Sequence, residues 1–145
     1  MVIGNVDILV VGETKLDSSF PKSQFKISGF SKPYRIDRNE YGGGVMIYVR
    51  EDIPSQENPK KHKLLTNVEG LIVEINLRKM KFLLIRIYHS TNKDHGTSDD
   101  VFLCEIGKVI DVYSSFDTFL IVGDFNMQEG NILLEDFLCT YHAKI

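Results

Sequence analysis

Several features that would identify a class of protein are scarce in this 145-residue sequence. It has two cysteines, Cys104 and Cys139, in neither a CxxC pair nor a metal-binding spacing. A disulfide framework is therefore not indicated, and both residues are expected to be buried thiols in a reducing compartment. There is no excess of positive charge, since the formal net charge is -3. Binding to nucleic acid or to an anionic membrane would thus require a local patch.

Long apolar runs are missing as well. No stretch approaches the roughly 18 residues of a membrane span, and the opening MVIGNVDILVVGE lacks a cationic start and soon reaches Asp7 and Glu13. The sequence has no internal repeat and no linker composition. With 43% hydrophobic and 26% charged residues, its composition is that of an ordinary globular domain. We therefore expect a soluble, untargeted chain with no membrane partner, in which residues 1–145 form a single domain or a large piece of one.

Up to residue 88 the sequence shows strand patterns separated by turns and loops, and one more strand pattern follows at residues 119–122. Residues 7–12 (DILVVG) and 119–122 (FLIV) are short continuous apolar runs, typical of strands covered on both faces. Residues 45–49 (VMIYV) form a further strand. Residues 71–77 and 81–88 are separated only by RKM, which predicts a hairpin with a basic tip.

Helical spacing occurs only after Ser98. The apolar residues there recur at helical intervals: Phe102, Ile106, Val109, Ile110 and Tyr113. Asp99 and Asp100 suit the N-terminus of such a helix, because acidic side chains interact favourably with that end of the helix dipole. A second amphipathic helix is predicted over residues 131–141.

Polar side chains follow the two continuous apolar runs. Asp124 and Asn126 come after the later run, and Glu13 comes just after the earlier one. On an extended backbone, residues 124 and 126 would point the same way, about 6.6 Å apart. Carboxylates at strand ends suit Mg²⁺, which keeps most of its waters and takes one or two protein carboxylates. The alternative is that Asp124 and Asn126 only cap a turn, as Asp and Asn commonly do.

Four stretches, in order, resemble the endonuclease/exonuclease/phosphatase superfamily, specifically the endonuclease region of non-LTR retrotransposons. These stretches are DILVVGETKLDSSFP, YRIDRNEYGGGVMIYVREDIPS, VEGLIVEINL and FLIVGDFN, with GET and GDFN as the most specific signatures. The resemblance covers nearly the whole chain. It implies an α/β (α+β) fold, part of a four-layer sandwich of two mixed β-sheets flanked by helices, with the site at one end.

The resemblance also implies a role for individual residues. Glu13 matches the glutamate that binds Mg²⁺ (or Mn²⁺ in its place), and Asp124 matches the aspartate that orients or deprotonates the attacking water. Asn126 matches the asparagine that hydrogen-bonds the phosphate. Tyr88 matches a tyrosine that contacts a phosphate oxygen, although YHS here replaces the commoner tyrosine-x-proline. A cation on the developing charge and a positioned water are what phosphodiester hydrolysis requires.

Two motifs of the superfamily have no counterpart in the sequence. These are an N-terminal strand carrying an asparagine and a C-terminal Ser-Asp-His, so we expect the chain to be an incomplete domain. Asp94-His95 and Ser98-Asp99 echo the second motif but precede Asp124, and are expected to be loop residues. General acid–base assistance is worth about 10²–10⁴ in rate, so the chain alone is expected to cleave inefficiently.

Other candidates carry less weight. Gly42–Gly44 is expected to be a turn entering a strand, because no GK[ST] follows it. Among the histidines only His89, next to Tyr88, is placed to enter a cleft. A set of basic residues could contact a nucleic-acid backbone or simply be solvated: Lys60, Lys61, Lys63, Arg78, Lys79 and Lys81.

The function expected from the resemblance is that of a magnesium-dependent, DNA-nicking endonuclease portion of a retrotransposon. Its partners would be DNA and the reverse transcriptase of the parent element, and the nucleus is a plausible location. The alternatives are an inactive, truncated retroelement remnant and a phosphatase acting on a small phosphoester. The flanking reading frame would discriminate between the first two readings.

Overall fold

Strands dominate the first two thirds of the protein, and its two α-helices come late. The computed structural model describes residues 6–38, 43–58, 63–90 and 96–144. The elements in these ranges are β1 (Ile8–Gly12), a 3-10 helix (Lys22–Phe25), β2 (Tyr34–Ile36), β3 (Val45–Val49), β4 (Ser55–Glu57), β5 (Glu69–Leu77), β6 (Met80–Tyr88), α1 (Asp99–Val112), β7 (Thr118–Asp124) and α2 (Ile132–Thr140).

The strands form two sheets. The first has the order β1-β3-β2 and is antiparallel throughout its described strands. The second has the order β4-β5-β6-β7, in which β6 and β7 are parallel and the other pairs antiparallel, so this sheet is the mixed one. The predicted hairpin is confirmed as β5 and β6, joined at Arg78 and Lys79. The α+β class is therefore confirmed.

The two sheets pack face to face, and the helices cover the far side of the second sheet. Inward residues of β3 meet inward residues of β5 and β6 in a core that is almost inaccessible to solvent: Val45, Ile47, Val49, Leu71, Val73, Ile75 and Leu84. The opposite face of β5 and β6 packs against α1 through Ile72, Ile85, Ile87, Phe102, Ile106 and Val109. The predicted apolar face of α1 is thus buried, as its spacing indicated.

A loop covers the outer face of the first sheet. Phe30, Met46 and Tyr48 are buried there, with Phe25 of the 3-10 helix packed against them. The described residues therefore form four layers: loop and 3-10 helix, first sheet, second sheet, and α-helices. In the part of the chain that the structure describes, the outermost layer on the first sheet is not an α-helix.

Two predicted strands are less buried than their sequences indicated. β1 is half-buried to exposed along its length, and β7 alternates, with Leu120 47% exposed. Among the described strands each lies at the edge of its sheet, where Leu120, unlike Val122, is not packed on the core between the sheets. The expectation that both are covered on two faces is wrong.

The cysteines were also predicted incorrectly. Cys104 lies on α1 and Cys139 on α2, and both are exposed free thiols. Cys104 is two positions from both Phe102 and Ile106, which places it about 200° around the helix from the buried face. Among the described helices, none is both long enough and apolar enough to cross a membrane.

A buried carboxylate ties α1 to the loop that precedes β5. Glu105 is only 4% exposed. Its oxygens accept hydrogen bonds from Thr66 Oγ1 at 2.7 Å, Asn67 Nδ2 at 2.6 Å and the Val68 amide at 3.1 Å. Burial by itself would raise the pKa of Glu105, but the hydrogen bonds from Thr66, Asn67 and Val68 together lower it below its usual value. The ionised carboxylate therefore stabilises the fold.

Replacing Glu105 with glutamine is expected to lower the free energy of unfolding by about 2–3 kcal/mol at neutral pH, because one acceptor oxygen becomes an amide facing other donors. The pKa is lower in the folded chain, so this stabilisation is complete above the usual glutamate pKa of about 4.3 and is lost as the pH falls through the folded value. Urea unfolding followed by circular dichroism should show the difference narrowing in acid. Glu51→Gln, at an exposed turn, is the control and should change stability by less than about 0.5 kcal/mol. An equal loss at neutral and acidic pH would contradict this role.

Candidate active site

Two of the predicted site residues end neighbouring parallel strands. Tyr88 ends β6, Asp124 ends β7, and the two are register partners across the sheet. The carboxyl ends of parallel strands lie at the same edge of a sheet, which is where polar groups converge in open α/β sheets. Asp124 is exposed and Tyr88 is half-buried. Within the described residues, no group hydrogen-bonds to the Tyr88 hydroxyl.

Glycine is required immediately before Asp124. Gly123 has φ 153°, and a Cβ added there would lie 1.8 Å from the carbonyl oxygen of Ile87. No side chain fits between the two strands at that point. Gly123 therefore lets β7 approach β6 closely enough to set Asp124 beside Tyr88.

Asn126 reaches the site by a different route from the one predicted. β7 ends at Asp124, and Asn126 has φ 47°, in the left-handed region that Asn tolerates better than most residues. The assumption of an extended backbone from residue 124 to residue 126 is therefore wrong. The Asn126 side-chain amide instead donates to the carbonyl oxygen of His89 at 2.8 Å. This contact holds Asn126 against the residue that follows Tyr88.

Asp124 also takes part in a turn. Its Oδ1 accepts a hydrogen bond from the Asn126 amide at 3.1 Å, and its carbonyl accepts one from the His89 amide at 2.9 Å. Oδ1 of Asp124 therefore caps a turn, as the alternative interpretation of the sequence proposed for this residue. In the part of the chain that is described, no donor contacts the other oxygen, Oδ2. One oxygen of Asp124 is therefore fixed by the fold, and the other has no described donor.

His89 does not enter a cleft, contrary to the possibility raised from its place after Tyr88. It is 1% exposed. Its ring nitrogens face the carbonyl oxygens of Phe125 at 2.6 Å and Thr97 at 2.7 Å, and the ring stacks on Phe102 at 4.1 Å. His89 is a structural residue that fixes the segment after β7.

Glu13 lies on the first sheet, just past the end of β1. It is exposed and has φ 53°. Its Oε2 accepts a hydrogen bond from the Gly43 amide at 3.0 Å, and the Lys15 amide donates to the Gly43 carbonyl at 3.0 Å. The predicted glycine turn before β3 is confirmed for Gly43 and Gly44, and it also braces the Glu13 segment. Gly42 lies outside the described residues.

Contact across the sandwich places Glu13 and Asp124 at the same end of the molecule. A Cβ at Gly12 would lie 2.8 Å from Nη2 of Arg86, a residue of β6 that pairs with Val122 of β7. Glu13 directly follows Gly12, and Asp124 lies two residues beyond Val122. Sequence reasoning missed Arg86, although a charged residue within the apolar run LLIRIY was a visible signal.

The carboxylates fit a hydrated divalent ion better than a closed metal cage. No group of three or more His, Cys, Asp or Glu side chains within the described ranges could hold a metal ion. Mg²⁺ needs only one or two protein carboxylates and keeps several waters, whereas structural Zn²⁺ needs four protein ligands. Glu13 and Asp124 offer carboxylate oxygens, which are ligands that Mg²⁺ and Mn²⁺ accept.

The described hairpin-tip part of the predicted basic surface is not next to these residues. Arg78, Lys79 and Lys81 lie at the hairpin tip, and the nearest of them to Tyr88 along β6, Lys81, is about 23 Å away at 3.3 Å per residue. Lys63 is exposed in the loop before β5, and Lys60 and Lys61 lie outside the described residues. The hairpin-tip cations therefore do not flank the candidate site.

The Ser98-Asp99 pair begins α1, so the expectation that both are loop residues is wrong for Asp99. Ser98 is the N-cap residue, and Asp99 Oδ2 accepts a hydrogen bond from Asn131 Nδ2 at 2.6 Å. Asp94 and His95 lie outside the described residues.

Solved structures that share this fold include three that are described next. The endonuclease domain of TRAS1, a telomere-specific non-LTR retrotransposon, has a TM-score of 0.60 and 17% identity, covering 92% of this chain and 56% of that one. The human Nocturnin catalytic domain, solved with a bound sulfate anion, has a TM-score of 0.60 and 12% identity, covering 91% and 55%. D. rerio TDP2, complexed with single strand DNA product, has a TM-score of 0.55 and 13% identity, covering 94% and 52%.

Sequence comparisons add no relative. No protein-family model matches the chain, and no curated protein matches it. The chain spans little more than half the length of the three solved structures. Those structures share one architecture, and this chain has the fold of the endonuclease/exonuclease/phosphatase superfamily.

Proposed function

We propose that this chain is part of a divalent-metal-dependent phosphodiester hydrolase, the DNA-nicking endonuclease portion of a retrotransposon. The observation that carries the proposal is the pairing of Tyr88 with Asp124 at the carboxyl ends of two parallel strands. Asp124 keeps one carboxylate oxygen without a described donor, and Glu13 lies at the same end of the sandwich. The fold is one in which such a cleft is used for phosphoester chemistry, which supports the proposal by analogy.

In this proposal the residues of the second sheet position the reactants. Asp124 Oδ2 orients the attacking water or takes its proton, while Oδ1 stays bonded to the Asn126 amide. The Asn126 side-chain amide has a second N–H besides the one donated to His89, and this second N–H binds a phosphate oxygen. The Tyr88 hydroxyl donates to another phosphate oxygen. Such positioning can supply a large part of the rate enhancement of a hydrolase.

The metal requirement falls on Glu13. Mg²⁺, or Mn²⁺ in its place, held by the Glu13 carboxylate would act as a Lewis acid on the phosphate. The Gly43 amide donates a hydrogen bond to Oε2 of Glu13 and fixes the position of that oxygen. The glycine turn thereby also sets the direction in which the other oxygen, Oε1, points. Glu13 is therefore oriented before any ion binds.

The substrate proposed is DNA. Support comes from two of the solved structures, since one is described as a retrotransposon endonuclease domain and another is complexed with a single strand DNA product. A reverse transcriptase encoded by the same element and a nuclear location follow from the retrotransposon assignment, and they are proposed with it.

Nicking of supercoiled plasmid DNA tests the proposal directly. In Mg²⁺ the chain should convert supercoiled plasmid slowly to the open-circular form, and EDTA should stop the conversion. A parallel assay with a small chromogenic phosphomonoester should give no product. Nicking that persists in EDTA, or turnover of the phosphomonoester without nicking, would contradict the proposed function.

Replacing Glu13 with glutamine is expected to abolish Mg²⁺ binding, because the change removes the charge while preserving the size of the side chain and its acceptor for Gly43. Wild-type binding should itself be weak, since few protein carboxylates are present. Calorimetric titration with MgCl₂ measures both. Glu51→Gln, at an exposed turn, is the matched control and should bind like the wild type. Tight binding that survives Glu13→Gln would show that the ion lies elsewhere.

A further inference from the structure

Arg86 is a buried cation that lacks a protein partner in the described structure. It is 8% exposed and lies on strand β6 of the second sheet, two residues before the strand ends at Tyr88. Arg86 lies two residues after Leu84, so both side chains point to the same face of β6. Leu84 belongs to the core between the sheets, and Arg86 therefore points toward the first sheet. In residues 6–38, 43–58, 63–90 and 96–144, no carboxylate or carbonyl oxygen accepts a hydrogen bond from its guanidinium.

Arg35, which is also buried among the described residues, does have protein partners. Arg35 is 7% exposed, its Nε and Nη2 both donate to the Asp37 carboxylate, and Nη2 also donates to the Asp17 carbonyl at 2.8 Å. Nη1 of Arg35 is buried without a hydrogen-bond partner among the described atoms, whereas no guanidinium nitrogen of Arg86 is, so the Arg86 nitrogens keep access to solvent. The fold thus supplies a carboxylate for Arg35 and none for Arg86, whose charged end stays open to a ligand.

The sequence makes room for the Arg86 side chain at the candidate active site. Gly12 is the last residue of β1, and a Cβ there would lie 2.8 Å from Arg86 Nη2. The guanidinium therefore reaches across the space between the sheets to the residue that precedes Glu13. Along β6, Tyr88 follows Arg86 by two residues on the same face, which corresponds to about 6.6 Å. Arg86 lies directly below the strand ends that carry Glu13, Tyr88 and Asp124.

A buried hydroxyl without a partner borders the same segment of the first sheet. Thr14 Oγ1 is buried and has no hydrogen-bond partner among the described residues. It follows Glu13 directly and faces Gly44, where a Cβ would lie 2.4 Å from this oxygen. Both groups without partners, Arg86 and Thr14, thus border the Gly12–Glu13 segment. Both can donate hydrogen bonds, and a guanidinium with a free edge matches the geometry of a phosphate.

We propose that Arg86 is a substrate-binding residue that donates to a non-bridging oxygen of the phosphodiester at the base of this cleft. The proposal rests on the proposed function, since it names the group that receives the substrate phosphate. The guanidinium compensates the phosphate charge from below while Glu13 and Asp124 act at the strand ends. An arginine in this place binds phosphate without any metal, and that property separates its test from the test of hydrolysis.

Phosphate binding in the presence of EDTA tests the proposal. Calorimetry would measure the affinity of the full chain for inorganic phosphate in one arm and for the dinucleotide thymidylyl-thymidine in the other. Arg86→Gln should weaken both by at least about tenfold, the lower end of what a charge-assisted hydrogen bond supplies. Arg86→Lys, which keeps the charge, should recover part of the affinity. Arg50→Gln, at an exposed arginine paired with Asp7 and Asp52, should bind as the wild type does.

A second variant covers the case in which Arg86→Gln does not fold. Gly12→Ala keeps the arginine but places a methyl group against its Nη2, so it should displace the guanidinium and weaken phosphate binding in the same way. Inorganic phosphate bound without the dinucleotide would assign the site to a free anion and overturn the proposed substrate contact. Unchanged affinity in folded Arg86→Gln would overturn the proposal outright. Arginine-dependent binding without plasmid nicking would uphold this inference while contradicting the proposed function.

Discussion

Gly123→Ala is expected to lose the folded state or most of its stability. The new methyl group would lie 1.8 Å from the Ile87 carbonyl oxygen, well inside van der Waals contact, so β6 and β7 would have to separate where Tyr88 and Asp124 pair. Changes of this kind belong to the largest effects of single substitutions, about 4–5 kcal/mol or more. Thermal and urea unfolding followed by circular dichroism would measure the loss.

Gly130→Ala is the matched control for that substitution. Gly130 also has a positive φ, 75°, but a Cβ there would meet nothing within 4 Å. Its replacement should cost only the backbone strain of a left-handed residue, about 1–2 kcal/mol. If Gly123→Ala were no more harmful than Gly130→Ala, β7 would not approach β6 as closely as described.

Asp124→Asn is expected to lower the plasmid-nicking rate by about 10²–10⁴, the range that general acid–base assistance supplies. The substituted side chain keeps an oxygen that can accept the Asn126 amide hydrogen bond, so the turn and the stability should be preserved. The ionised oxygen that orients the water is lost. Nicking rates measured at saturating Mg²⁺ would separate this effect from weaker ion binding.

Asp136→Asn, at an exposed position of α2, controls for the removal of one negative charge. It should nick DNA at the wild-type rate. Nicking by Asp124→Asn within about twofold of the wild type would assign Asp124 to turn capping alone, the alternative that its bond to Asn126 keeps open.

The helices and the hairpin were predictable because their patterns report burial directly. α1 must present one apolar face to the second sheet, and the recurrence of Phe102, Ile106 and Val109 states which face that is. β5 and β6 are joined by so few residues that only a hairpin is possible. The sequence pattern was enough to predict an element wherever the spacing of apolar residues within that element determines which of its faces is buried.

Edge positions could not be predicted in the same way. β1 and β7 are continuous apolar runs, but such a run reports hydrophobicity and not the number of neighbouring strands. Leu120 is apolar and still 47% exposed, because it lies on the edge strand of the described sheet and, unlike Val122, is not packed on the core between the sheets. Sheet order is a property of tertiary contacts, which short-range sequence patterns do not contain.

The candidate site contains both a correct and an incorrect prediction within a few residues. The acid after an apolar run correctly placed Asp124 at a strand end, beside Tyr88. The period-two argument failed at Asn126, because the backbone turns into the left-handed region directly after the strand. Arg86 was overlooked because an arginine in a strand is usually taken to face solvent, and only the packing of the two sheets shows that it faces inward.

A crystal structure of the protein soaked in Mn²⁺ would test the central claim most directly, since anomalous scattering locates the ion without assuming its ligands. We predict one principal anomalous peak within coordination distance of the Glu13 carboxylate, about 2.0–2.3 Å, with the Asp124 carboxylate no more than about 12 Å from Glu13 so that both can contact the hydrated ion. A peak bound to other side chains, or a Glu13 to Asp124 separation well above about 12 Å, would contradict the assignment of these residues to one catalytic site.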